Sequence, residues 1–229
     1  MIVAIHQPNH LPWSGYFAKI ARADIFVFLD DAQYPKGSYV NRVRIAGACE
    51  PFWLTVPVKV TLGDAISTVM PARPDWARAH RERLLQIYRG APAFKEVWPD
   101  IEAWLAEVPK GTLAEANTFL IARVAARLGL GARFVASSSL GVPPDTADAR
   151  LAEIVRRLAP GGCYLSGAGC ANYQSAEVFA AKSITLAYND FVPPPYARGT
   201  HPFVAGLSVL DALFHTGWEA TAAMIRPVT

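Results

Sequence analysis

Two imidazoles and two carboxamides crowd into "HQPNH", residues 6–10. His6 and His10 could stabilise developing negative charge or carry a proton, and Gln7 and Asn9 could orient a carbonyl or phosphoryl group. As structure alone, the same segment is a turn shaped by Pro8 in which His6 and Asn9 bond backbone. A second group follows in "DDAQYPKGSYVNRVRI", residues 30–45. Asp30 and Asp31 are paired carboxylates suited to an acceptor amine or a divalent ion. Lys36, Arg42 and Arg44 bring three cations within nine residues. On strand geometry Arg42 and Arg44 share a face, and two guanidinium forks fit phosphate or carboxylate. The alternative is a solvated hairpin edge. A third group lies in "ASSSL" and "YLSGAGCANY". Ser137, Ser138, Ser166 and Asn172 could bond a ligand's polar atoms, and Tyr173 could stack on it. Ordinary turn and capping chemistry would use the same residues.

The thiols give less. Cys163 opens an apolar stretch, and Cys170 stands in a loop before a helix, with no histidine near it in sequence. With Cys49 they make three cysteines without CxxC spacing, which fits a reducing compartment. His80 and His201 lack metal-ligand spacing, so no metal site is predicted, and the residues name no cofactor.

The elements that must position these groups read as α/β. Ile2 to Ile5 is a continuous apolar strand running into the first cluster. Residues 14–23 have helical spacing, and Ile25 to Leu29 is a second apolar strand closing on Asp30. Strand, helix and strand in thirty residues make a βαβ unit, and strands apolar on both faces belong to a parallel, covered sheet. Ligands bind beyond the carboxyl ends of such strands, where both polar clusters fall. Residues 33–60 alternate as an inserted β-hairpin that Gly47 interrupts, with Tyr39, Asn41, Val43 and Ile45 on one side. Helices are expected over 75–89, 94–107, 113–128, 145–158 (apolar face Ala147, Leu151, Ile154, Leu158), 175–182 and 208–214. Further strands are expected at 132–140, 163–167 and 184–190.

Composition bounds the function. The 229 residues can bury a real core, and the chain is 52% apolar and 18% charged. A net charge of +3 with no Lys/Arg run longer than two argues against nucleic acid. No stretch is apolar for long enough to span a membrane, and the first residues lack a basic signal-peptide segment. A cytoplasmic protein acting on small molecules is expected. Homo-oligomer formation is left open.

Taken together, "HQPNHLPWSGYFAKIARADIFVFLDDAQYPKGSYVNRVRI", "WLTVPV", "SSSL", "ARLAEIVRRL", "YLSGAGCANY" and "LSVLDALFHTGW" resemble the WbqC-like family along nearly the whole chain. Members are often encoded with O-antigen and other cell-surface polysaccharide genes, some with natural-product genes. The resemblance therefore implies an enzyme acting on an activated sugar or acyl intermediate. It supports His6, Gln7, Pro8, Asn9, Pro12, Trp13 and Gly15. It also supports Asp30, Asp31, Asn41, Arg42, the Tyr164–Gly167 segment, Tyr173 and Asp211. It departs at His10, where the pattern has tyrosine, and at Cys170, where it has a small residue.

The expectation is one WbqC-like α/β domain over 1–229, with a mainly parallel Rossmann-like sheet, helices on both faces, a hairpin insertion and a helical stretch over 75–128. The function expected is a transferase moving an acyl, aminoacyl or related group from a phosphate-bearing donor to an amine or hydroxyl. His6 would be base or charge stabiliser, and Gln7 and Asn9 would orient the reacting group. Lys36 and Arg42 would hold the phosphates, and Asp30 or Asp31 the acceptor. Trp13, Asn41, Arg44 and His10 complete the substrate-binding set. The alternatives are nucleotidyl transfer or ATP-dependent ligation at the same strand ends, and a non-catalytic binding subunit of a polysaccharide assembly complex.

Overall fold

The apolar runs pair side by side. In the computed structural model, which describes residues 1–46 and 50–226, β1 (Ile2–His6) lies parallel to β2 (Ile25–Phe28), with α1 (Ser14–Ala21) crossing between them. Then come the antiparallel hairpin β3 (Arg42–Ala46) and β4 (Pro51–Thr55), and a short pair, β5 (Val58–Lys59) with β6 (Met70–Pro71). Three helices follow, α2 (Trp76–Tyr88), α3 (Phe94–Glu107) and α4 (Leu113–Arg127). The chain then returns to the main sheet through β7 (Arg133–Ala136), α5 (Ala147–Leu158), β8 (Cys163–Gly167), α6 (Ala176–Ala180) and β9 (Thr185–Asn189). It ends its described part in α7 (Val209–Ile225).

The main sheet is parallel throughout, in the order β7-β2-β1-β8-β9. Both faces are covered, which is why β1 and β2 carry no polar residue before their ends. Ala4, Phe26, Phe28 and Leu165 share a core with α1 to α4 and α7. Val3, Ile5, Ile25, Val27 and Tyr164 face the other way, onto Ala152, Ile154 and Val155 of α5 and Phe179 of α6. From β1 the chain crosses to β2 on one side, and from β8 it crosses to β9 on the other. The sheet therefore has its topological switch point between β1 and β8.

Some elements differ from the sequence reading. The first hairpin strand begins at Arg42, because side chains take up the backbone before it. Asn117 Nδ2 donates to Val40 O, and Asn41 Nδ2 donates to Val56 O. Gly47 and Cys49 lie outside the described residues. The buried stripe of α5 is Ala152, Ile154 and Val155, while Ala147 is exposed. The last helix runs on to Ile225. The helix expected over 208–214 does not stop there: Gly217 (φ 82°) only kinks it, and Glu96 Oε1 caps the second segment by accepting from Trp218 N at 3.1 Å.

Gly15 has a steric reason. A Cβ there would lie 2.2 Å from the Trp13 indole, which covers the first turn of α1 and meets Phe191 at 6.0 Å between ring centroids. Gly15→Ala should destabilise the protein by about 1–3 kcal/mol, the usual cost of overpacking a filled site. Urea unfolding checks it: an unchanged midpoint would mean that Trp13 moves aside freely.

Candidate functional site

The register sets the geometry of the strand ends. Ala136, Phe28 and His6 lie level across β7, β2 and β1, and Gly167 is level with Asn189 across β8 and β9. Between β1 and β8, however, pairing stops at Ala4–Leu165. The two central strands part before their outer neighbours do, which leaves a gap in the pairing at the switch point.

Lys19 of α1 reaches into that opening. It is 3% exposed, and its Nζ donates to Ile5 O at 2.7 Å. Among the described residues no carboxylate lies within ion-pair distance of it. Burial without a counter-ion disfavours the ammonium and pulls the amine's pKa down to about 7, with Cys170 nearby acting in the opposite direction. The sequence reading missed this residue. The available signal was a lysine inside a short apolar helix with no Asp or Glu three or four residues away.

His6 stands beside it, half-buried, its ring edge-on to Tyr16 at 4.8 Å. Its Nδ1–H donates to Gln7 O at 3.3 Å, and Tyr16 OH donates to the same oxygen at 2.9 Å. Desolvation first, and the Lys19 ammonium second, push His6 down to about 3. It is therefore neutral near pH 7, suited to donating or accepting a hydrogen bond and poor as a base. Gln7 is half-buried at the gap, and Asn9 is buried beneath it. Ser166 follows Leu165 on β8, past the last β1–β8 pair, and is 0% exposed on the sheet face that carries Tyr164. Beyond it Tyr173 OH donates to Cys170 Sγ at 2.9 Å, which raises the phenol to about 12, while Tyr173 and Asn172 are themselves exposed.

The carboxylates of β2 are braced by the serine-rich turn after β7. Asp30 Oδ1 accepts from Ser138 N at 2.9 Å, and Oδ2 accepts from Ser138 Oγ at 2.7 Å. The Ser137 hydroxyl lies within reach of both Asp30 and Asp31. Asp31 also pairs with Arg150 of α5 at 2.5 Å, a partner the sequence reading did not name. Both carboxylates are thus held by protein groups, and Asp30 also borders a cleft of about 460 Å³ walled by Phe28, Ser67, Thr112, Glu115 and Ser138.

Other candidates stand elsewhere. His10 is 0% exposed; its Nδ1–H donates to Asn117 Oδ1 at 2.9 Å, and its ring packs on Trp76 and His80. It faces the core, away from the strand-end surface. Arg42 donates one Nη2–H to Gly37 O and lies over the Trp53 ring at 4.2 Å, on the hairpin and outside the main sheet. Lys36 is exposed and Arg44 half-buried on the hairpin, outside the main sheet. Asn41 brackets the hairpin to Val56. Trp13 covers Gly15.

The chain is a three-layer α/β protein with its sheet parted at the switch point and a buried amine in the gap, the place where ligands commonly bind in such folds. The chain belongs to the WbqC-like protein family, which it matches over residues 7–223. It is 34% identical over 225 residues to "Uncharacterized protein Rv1507c" of Mycobacterium tuberculosis (strain ATCC 25618 / H37Rv), covering 95% of each chain. No solved structure matches it significantly. Among the described residues, no helix is long and apolar enough to cross a membrane.

The buried imidazoles make stability pH-dependent. His10 is lowered to about 4 and His80 to about 3, chiefly by desolvation. The unfolded chain binds these protons below about pH 6.5 while the folded chain does not, so stability falls as pH drops from there towards 3–4. Between pH 7 and pH 4.5 the single group His80 should account for about 2–3 kcal/mol of that loss. His80→Phe should flatten the curve of unfolding free energy against pH by that amount. A variant with the wild-type slope would mean that His80 titrates normally when folded.

Proposed function

We propose that this chain is a group-transfer enzyme, moving an acyl, aminoacyl or related group from an activated donor to an amine or hydroxyl of a sugar or small metabolite. The observation that carries this reading is Lys19, a buried amine at the parted strand ends with no counter-ion among the described residues. An amine with pKa near 7 is matched to taking a proton from an attacking nucleophile at neutral pH. The base is therefore Lys19, and His6 has the role of a neutral partner that hydrogen-bonds the reacting group. Gln7, half-buried on the same turn, orients the carbonyl.

In this reading the acceptor enters by Asp30, whose carboxylate is fixed by Ser138 and whose cleft is lined with hydroxyls. Such a wall suits an amine-bearing or hydroxyl-rich molecule. As the acceptor's N–H or O–H attacks the donor carbonyl, its proton passes to Lys19 Nζ. The donor's leaving group then departs with that proton or one from solvent. Family membership supports the pathway class, cell-surface polysaccharide or natural-product assembly. Nucleotidyl transfer has less support, because the turn from Gln7 to Trp13 contains no glycine with which to cradle phosphates.

The test is a mass-spectrometric screen of donors and acceptors, followed by kinetics on the productive pair. Lys19→Met should lower kcat about 10²–10⁴-fold, the span of a general base. Wild-type rates should rise with pH through about 7, where Lys19 loses its proton. A Lys19→Met variant that is folded and fully active would remove the lysine from the chemistry. His6→Gln should slow turnover but keep the pH limb; loss of that limb in His6→Gln alone would return the base role to His6.

A further inference from the structure

Away from the strand ends, Asp211 in the first turn of α7 is 0% exposed and heavily bonded. It accepts from Tyr88 OH at 3.1 Å, Tyr196 OH at 2.7 Å and Arg198 Nε at 2.9 Å. Burial and the Asp211 charge raise both phenols well above their ordinary value, so both remain donors. Arg198, 5% exposed, also gives Nη1–H to Pro202 O at 2.9 Å. One turn along α7, His215 donates Nδ1–H to Asp211 O at 2.7 Å.

This network walls a cavity of about 290 Å³ between the ends of β3 and α2 and the turn from Arg198 to His201. Arg198, Thr200, His201 and His215 supply its polar lining, Ile87 and Pro92 part of its apolar lining, and among the described residues no Asp or Glu lines it. Asp211 behind the wall is matched by Arg198 and two phenol donors, so it presents no free negative charge. A guanidinium has five N–H groups, and Arg198 bonds three of them, one at a long 3.4 Å. With His215 Nδ1 committed, its Nε2 is the ring nitrogen left for a ligand.

We propose that this cavity binds the oxyanion of a small molecule, phosphate or carboxylate, with the molecule's apolar part against Ile87 and Pro92. The free N–H groups of Arg198, the Thr200 hydroxyl and the imidazoles of His201 and His215 hold the oxyanion. The site is separate from the hairpin cations Lys36, Arg42 and Arg44, none of which lines the cavity. It stands whether or not the transfer reading does.

Calorimetry and amide NMR with phenyl phosphate, inorganic phosphate and benzoate test it. Saturable binding of phenyl phosphate or benzoate, tighter than inorganic phosphate, with amide shifts at 198–201 and 215, is expected; which of the two is tighter identifies the oxyanion. His215→Asn keeps a donor to Asp211 O but removes Nε2, and Thr200→Val/His201→Ala changes only exposed positions. Each should weaken binding about tenfold, the worth of one charge-assisted hydrogen bond. Lys19→Met should bind as wild type. No binding at tens of millimolar, variants binding like wild type, or shifts centred on Lys36 and Arg44 instead would each overturn the proposal.

Discussion

The carbonyl oxygen of Ile5 has no partner strand on the β8 side, because pairing there ends one residue earlier, at Ala4–Leu165. A backbone carbonyl left unpaired inside a protein costs as much as a lost hydrogen bond, and something must answer it. Lys19 does so at 2.7 Å. Much of the site depends on that contact. It places an amine between the central strands, and an uncompensated ammonium there would cost several kcal/mol, so the amine's pKa falls instead. The His6 imidazole, in the same desolvated place, is kept neutral partly by the lysine's charge. Two bases are thereby set apart, one titrating near neutrality and one far below it.

Around this gap the fold is stiffened. Tyr16, from the same helix as Lys19, donates to Gln7 O, and Asn117 from α4 ties Pro8 O, Val40 O and His10 together. The turn that carries His6 and Gln7 is thus fastened from two helices, while Asp30 and Asp31 are fastened from β7 and α5. Polar groups held this way need little reorganisation when a ligand arrives, which is the physical content of a preformed site.

The sheet was legible because its strands are apolar on both faces and end abruptly in polar residues: "IVAIHQ" and "IFVFLDD" carry both the strand and its mouth. The three-helix stretch was legible from its 3.6-residue spacing, and the Thr112–Glu115 capping box that starts α4 comes to light only in the structure. The strand order was not, since nothing local says that β8 returns beside β1; that comes from the crossing of α5. Nor was the role of Lys19, because one lysine on a ten-residue segment looks like its solvated edge until the helix is seen buried from Gly15 to Ile20. His10 misled for the opposite reason: its type suggested chemistry, and only Asn117, 107 residues away, reveals an inward-facing imidazole. Arg42 and Arg44 alternate as the pattern requires, yet the Gly37 carbonyl and the Trp53 ring that Arg42 meets are set by hairpin geometry.

The titration of Lys19 tests the account most directly. Lysines reductively methylated with ¹³C-formaldehyde report their own pKa by carbon shift, and Lys19→Met identifies the resonance. The account predicts a midpoint near 7 for Lys19, well below the other lysines. A midpoint near the ordinary 10.5 would mean that the amine is solvated or paired, and the gap between β1 and β8 would hold no base.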